Sequence, residues 1–256
     1  MRWLLRRSVS KTARRILINR TLTDVEGHQF RWLDTEIDHL ISQVEADVAA
    51  LRDMADLDGL SSFGNQVMVE MAIYTAAADR TLRNAGLDPE LVTEVVADLG
   101  WDIYRRLLRA NSAPVRWVTK DPGRRLRWTI RLLLRFPFSA PGAPGYEVTA
   151  AQEGDTYLTY FKHCPPQSFA RRLSCESDDP RVLETFRRSW CTYDWPGADL
   201  IADDGTRGHY GRSQTLSHGD PVCDMCWAGR VNKNGSEPRA SSGQARPKRD
   251  TPSASG

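Results

Sequence analysis

Residues 137–161, PFSAPGAPGYEVTAAQEGDTYLTYF, decide the fold. The stretch opens on Pro137, Pro141 and Pro144 with Gly142 and Gly145, the composition of a linker. Behind it, Tyr146-Glu-Val148-Thr and Tyr157-Leu-Thr-Tyr160-Phe are rich in β-branched and aromatic residues. Gly154-Asp155 lies between these two runs and marks a hairpin. The sequence ahead of the linker has a helical apolar period instead. The chain therefore reads as α+β, with an N-terminal antiparallel helical bundle followed by a small antiparallel sheet with a short helix.

Towards the N-terminus, Leu33, Ile37, Leu40, Ile41, Val44, Val48 and Leu51 fall on one apolar stripe. Asp58-Gly59 and Ser61-Ser62 end that helix, and Val67, Met71, Tyr74, Ala78 and Leu82 carry the pattern along a second. Asn84-Ala-Gly86 supplies a stop, since glycine tolerates the left-handed conformation there. Asp88-Pro89-Glu90 then combines an N-cap, a proline at the first helical position and an acid in the first turn. This third helix is expected to run to about Ala110, and the short connections imply antiparallel packing. The Asp121-Pro-Gly123 turn divides the basic segment 114–136. Its second piece, Arg124 to Phe136, is a cationic amphipathic helix with Leu126, Ile130, Leu133 and Leu134 inward and solvated arginines outside.

Towards the C-terminus, Asp179-Pro180 starts a short helix, Arg181 to about Tyr193. His209 to Leu216 and Val222 to Trp227 read as two further strands, with Ser217-His-Gly-Asp-Pro221 turning between them. From about Val231 the composition is that of a disordered tail. The expected organisation is a basic N-terminal arm over 1–23, a helical region over 24–136 and a Pro/Gly linker over 137–145. An α+β region carrying the Cys/Asp site covers 146–230, and the tail covers 231–256.

A formal net charge of +2 is too small to imply nucleic acid, and no nucleic-acid partner is expected. No apolar run approaches the ~18 residues that span a bilayer. The first 23 residues hold seven Arg or Lys and no acid. They can form an amphipathic surface helix with Trp3, Leu4, Leu5, Val9, Ile16 and Leu17 on one face, and read as a frayed basic arm, with peripheral membrane contact and organelle targeting as further readings. The cysteine count is odd, at five, and no secretory signal is seen, so reduced thiols in a cytoplasmic protein are expected. The oligomeric state is left open.

All the cysteines lie in the second half: Cys164, Cys175, Cys191, Cys223 and Cys226. A thiolate attacks electrophilic carbon well once its proton is removed or its pKa is lowered. His163 beside Cys164 is a candidate base, although neighbours on a strand face opposite ways. Asp178 follows Cys175 at a spacing suited to acid/base work, and Asp224 abuts Cys223. Cys191, among Trp190, Tyr193 and Trp195, reads as a small buried hydrophobe. The Cys-x-x-Cys pair at 223 and 226 stands alone, whereas structural zinc needs four ligands. A zinc- or ligand-binding module using Cys164, Cys175, Cys223 and Cys226 is the alternative reading. A reversible Cys223–Cys226 disulfide is a third.

Three segments in order resemble the L-2-amino-thiazoline-4-carboxylic acid hydrolase family. They are Gly64-Asn65-Gln-Val-Met68-Val-Glu-Met-Ala72-Ile-Tyr74, then His163-Cys164-Pro165 with Leu173-Ser-Cys175-Glu-Ser-Asp178. The last is Arg212-Ser-Gln-Thr215-Leu216-Ser-His-Gly219-Asp-Pro-Val-Cys223-Asp224. Together they cover roughly residues 60–228. The resemblance implies hydrolytic opening of a cyclic 2-amino-thiazoline carboxylate to an N-carbamoyl cysteine, with a small-molecule substrate and no cofactor. On that reading Cys164, Cys175, Asp178, Cys223 and Asp224 are catalytic candidates, and Cys175→Ser exchange is expected to abolish turnover. His163, Arg212 and Thr215 are candidates for substrate binding, with Arg212 pairing the substrate carboxylate through a bidentate contact. No residue is assigned to a metal.

Overall fold

The computed structural model describes residues 2–231. The tail expected over 231–256 lies, from 232 onward, outside the described residues. Helices α1 (Arg2–Leu17), α2 (Asp34–Asp53), α3 (Phe63–Asn84), α4 (Pro89–Val118) and α5 (Pro122–Leu133) come first. A minor ribbon of β1 (Leu22–Thr23) and β2 (Gln29–Phe30) sits between α1 and α2. After the linker come β3 (Glu147–Glu153), β4 (Thr156–His163), α6 (Pro165–Glu176), α7 (Pro180–Arg188) and α8 (Asp194–Ala202). Strands β5 (Tyr210–Arg212) and β6 (Cys223–Ala228) close the fold. The architecture is α+β, with an antiparallel sheet ordered β3-β4-β6-β5.

The start signal at Asp88 acts as the sequence implies, and Asp121, expected only in a turn, caps α5, which begins at Pro122 rather than Arg124. Asp88 accepts hydrogen bonds from the Glu90 and Leu91 amides at 3.0 Å, and Asp121 accepts one from Arg124 at 2.7 Å. Each satisfies backbone donors that the first helical turn leaves unpaired. The end of α4 differs from expectation. The helix passes Ala110 and continues to Val118, with Pro114 inside it. On α2, Ile37, Leu40, Val44, Val48 and Leu51 are buried, but Leu33 is the exposed N-cap residue. Helix α3 departs from a one-sided stripe: Asn65, Glu70, Thr75 and Asp79 are buried along with its apolar residues, because neighbours cover it on most sides.

The basic arm is a packed helix. Ala13 and Leu17 of α1 enter a cluster with Leu40 and Val92, and Thr12 donates to the buried Asp102 at 3.2 Å. Its arginines are largely engaged within the protein. Arg6 pairs with Glu45, Arg14 with Asp34 and Asp38, Arg15 with Asp102, and Arg20 with Glu94 and Asp98. No helix among the described residues is long and apolar enough to cross a membrane.

The arginine face of α5 is also partly internal. Arg125 is 8% exposed and donates to Ala202 O at 2.9 Å, Asp203 O at 3.0 Å and Thr119 O at 2.9 Å. It caps the C-terminal carbonyls of α8, where a cation also suits the helix dipole.

The two halves share their cores. One cluster joins Val48 and Leu51 of α2, Ile73 and Ala77 of α3, Phe169 of α6 and Phe186 of α7. A second joins Tyr104 and Leu108 of α4 and Ile130 of α5 to Tyr157, Tyr210 and Trp227 of the sheet. The linker is stapled down by Asn65, whose Nδ2 donates to Pro137 O at 3.2 Å and Ser139 O at 3.0 Å. Its Oδ1 accepts the Tyr146 amide at 3.0 Å. Gly64 allows that approach, since a Cβ there would fall 2.5 Å from Pro137 O.

The C-terminal half carries more helix than expected. Helices α6 and α8 appear in addition to α7, and β5 is only a three-residue strand. Cys164 directly follows β4 and serves as the N-cap position of α6, with Pro165 at the first turn. This proline pair starts a helix where the sequence reading saw only a motif.

Candidate active site

Strand parity builds the floor of the site. Thr159 pairs with Met225, Phe161 with Cys223, Tyr157 with Trp227 and Arg212 with Met225. Alternate residues share a face, so Thr159, Phe161, Arg212, Cys223, Met225 and Trp227 all line one cavity. Its volume is about 100 Å³. Helices roof it through Met68 of α3, Tyr104 and Leu108 of α4, Ile130 and Leu133 of α5, Gln167 of α6 and Phe186 of α7. Trp190 and Cys191 enter from the turn between α7 and α8, Asp194 from the start of α8, and Ser217 from the turn before β6. Cys164 and Tyr146 complete the wall.

Three thiols therefore meet in one mostly apolar cavity: Cys164, Cys191 and Cys223. Burial pushes the Cys164 thiol well up, the more so beside Cys223 and Cys191, with the Tyr146 hydroxyl opposing. Burial lifts Cys191 to about 11, countered by the Ser217 hydroxyl 3.1 Å from its sulfur and by Arg212. Cys223 is also raised by burial, and its Sγ receives two protein donors that oppose this. The Leu216 amide donates to it at 3.2 Å, and the Thr215 hydroxyl lies at 3.5 Å. Arg212 adds a favourable charge to its thiolate form.

The ionic groups of the cavity are Asp194 and Arg212. Burial raises Asp194 to about 6, while Arg212 and the Tyr210 hydroxyl, 3.3 Å from Oδ2, act in the opposite sense. Tyr210 is itself fixed edge-on between Trp195 and Trp227, with ring centroids 4.7 Å away on both sides. Arg212 donates from Nη2 to Cys191 O at 3.1 Å and lies over the Trp195 ring at 5.0 Å. A carboxylate that titrates near neutral pH is a competent proton acceptor and donor.

The remaining sequence candidates lie elsewhere. Cys175 is exposed in the last turn of α6, and Asp178 is exposed in the following turn at φ 50°, so neither lines the cavity. Asp224 faces the opposite side of β6, as strand alternation requires. There it accepts the Ser213 and Gln214 amides at 2.9 and 2.6 Å and holds the chain after β5. His163 donates from Nδ1 to Gly145 O at 2.6 Å and accepts at Nε2 from Ser168 at 2.9 Å. Both of its ring nitrogens are engaged in holding the linker and α6. Thr215 reaches the site indirectly: it touches Cys223 and accepts the Ser217 amide at 3.4 Å.

The four cysteines of the zinc reading do not converge. Cys175 is outside, and Cys226, three residues from Cys223 on a strand, faces the other side of the sheet. Among the described residues no group of three or more His, Cys, Asp or Glu could hold a metal ion.

Asp194, Cys191, Tyr146 and Tyr210 were not among the sequence candidates. A signal for two of them was present. Cys191-Thr-Tyr-Asp194 has the same Cys-x-x-Asp spacing as Cys175-Glu-Ser-Asp178, and it is this second copy that reaches the cavity. No family model, curated protein or solved structure matches this chain.

Proposed function

We propose that this protein is a hydrolase that opens a small cyclic amidine-like ring, 2-amino-thiazoline-4-carboxylate or a close relative, through the thiol and carboxylate groups of its interior cavity. The observation that carries the reading is the convergence of Cys223, Cys191, Asp194 and Arg212 on one cavity of about 100 Å³. A cavity of ~150 Å³ admits benzene, so this substrate requires the cavity walls to move outward on binding. The resemblance to the L-2-amino-thiazoline-4-carboxylic acid hydrolase family supports it in Arg212, Cys223 and Cys164. It is revised at the Cys-x-x-Asp element, where Cys191 and Asp194 replace Cys175 and Asp178.

The overall change adds one water across the ring carbon bonded to sulfur and two nitrogens. The carbon–sulfur bond breaks, the water oxygen becomes the carbamoyl oxygen, and the ring sulfur leaves as a thiol. Cys223 is the nucleophile of choice, because the Leu216 amide and Thr215 hydroxyl stabilise its thiolate. Its sulfur bonds to the ring carbon as the ring sulfur departs. Asp194 accepts the Cys223 thiol proton and delivers it to that departing sulfur. Water then displaces Cys223, which recovers a proton. Arg212 holds the substrate carboxylate throughout.

The test is turnover of 2-amino-thiazoline-4-carboxylate by the purified protein, followed as carbamoyl-cysteine and free thiol formed together. Stoichiometric appearance of both supports the reading. Absence of both from a folded sample rejects it.

A further inference from the structure

Arg212 and Asp194 line the same cavity but make no ion pair with one another or with any other described residue. This is an unusual arrangement for opposite charges inside a protein. Burying an ion costs several kcal/mol unless a partner compensates it, and collapse onto each other is the simplest compensation. Here they act on each other only at longer range, and their direct contacts are with uncharged groups. Asp194 Oδ2 takes the Tyr210 hydroxyl, and Tyr210 is locked by Trp195 and Trp227. Arg212 is pinned by Cys191 O and by the face of Trp195. The guanidinium has five donor hydrogens, and Cys191 O takes one of its N–H groups. Oδ1 of Asp194 receives no hydrogen bond from the described residues.

We infer that the cavity selects a zwitterion: a small, flat ligand whose carboxylate is received by Arg212 and whose cationic nitrogen, an amidinium or ammonium, is received by Asp194. The ligand supplies the two missing ion pairs at once. A ligand with only one charge leaves the opposite ion buried and unpaired, so each half of the ligand is read by the cost of omitting it. Tyr104, Trp190 and Trp227 also line the cavity, and aromatic faces favour a cation over a neutral ring. This inference rests on the proposed ring-opening reading only for the identity of the ring. The charge requirement comes from the two residues themselves.

The experiment measures binding separately from chemistry, by calorimetry on the Cys223→Ala protein, which retains both ions. The probes are 2-amino-thiazoline-4-carboxylate, 2-amino-thiazoline lacking the carboxylate, and thiazoline-4-carboxylate lacking the amino group. Free cysteine and alanine serve as unrelated zwitterions. The doubly charged ring is expected to bind at least ~10-fold more tightly than either singly charged ring, a difference of about 1.4 kcal/mol. Adding Asp194→Asn should reduce its affinity to that of the carboxylate-only ring while leaving the latter unchanged. Adding Arg212→Gln should do the converse with the amino-only ring. Equal binding of a singly charged ring, or equal weakening of every probe by both variants, overturns the inference. Binding of an amino acid with no binding of the amino-thiazoline carboxylate leaves charge selection standing and rejects the ring-opening reading. Failure of every zwitterion to bind folded protein overturns charge selection.

Discussion

The Leu216 amide donates to Cys223 Sγ at 3.2 Å, so a backbone dipole points at the sulfur that the strand presents to the cavity. A donor aimed at sulfur stabilises the thiolate more than the thiol, which partly offsets the cost of burial. Cys191 has the Ser217 hydroxyl in place of such an amide.

Cys223→Ala should therefore lower turnover of the amino-thiazoline carboxylate by at least ~10²-fold while the thermal midpoint changes little. Cys175→Ser should leave turnover within about twofold, because that residue is exposed on α6 and lines no part of the cavity. Steady-state rates of the two variants check both statements. A large loss in Cys175→Ser would return the nucleophile to the surface turn.

Thiol labelling should rank the cysteines by their surroundings. Cys175 is expected to alkylate first at pH 7, since it alone of the five is exposed. Cys226 should lag, because it is buried and its thiol is raised to about 11, as should Cys191 at about 11. Cys164, whose thiol burial raises well above its ordinary value, should be slow to react as well. Peptide mapping after timed iodoacetamide treatment reads the order directly.

Asp194 makes stability and activity diverge with pH. Burial raises its pKa from 3.8 to about 6, so between these values the folded protein holds a proton that the unfolded chain has lost. Its contribution therefore favours folding at low pH and is lost as pH rises from about 4 through about 6. Asp194→Asn should be the more stable protein at pH 7, by up to about 3 kcal/mol, with no advantage below about pH 4. Turnover should show the opposite trend, rising through about pH 6 in the parent and being nearly absent in the variant. Denaturant melts and rate profiles from pH 4 to 8 provide the comparison.

Asn65→Ala should destabilise the fold and blunt the site together. Asn65 is fully buried, and its loss leaves the Tyr146 amide and two linker carbonyls without their partner. Unsatisfied buried groups of this kind cost about 1–3 kcal/mol each, with some relief from relaxation. Because Tyr146 lines the cavity beside Cys164, a drop in turnover beyond the loss of folded protein is expected. Activity normalised to the folded fraction separates the two effects.

At the base of α1, Asp102 gathers Arg15, Arg105, Arg106 and Thr12. Asp102→Ala should loosen α1 from α4 at a cost of about 2–3 kcal/mol. Hydrogen exchange confined to residues 2–17 would report it, while an unchanged α1 would assign the anchoring to Ala13 and Leu17 alone.

The sequence by itself determined the elements whose signals are local. Asp88-Pro89 caps α4 as read, since a cap involves only residues two or three apart, and Asp121, read only as part of a turn, caps α5 in the same way. The hairpin of β3 and β4 followed from β-branched and aromatic runs around Gly154, which has φ 57°. Arg212 and Cys223 were found as motif residues before their placement was known. Tertiary structure alone decided which Cys-x-x-Asp pair matters, because Cys175–Asp178 and Cys191–Asp194 have the same spacing and differ only in what packs around them. It also decided that Asp224 serves a turn, through the parity of β6, and that the basic N-terminal helix is packed rather than a frayed arm, through carboxylates up to 90 residues away. Local patterns specify backbone conformation over a few residues. The partner of a buried charge or thiol depends on long-range packing, which spacing along the chain does not encode.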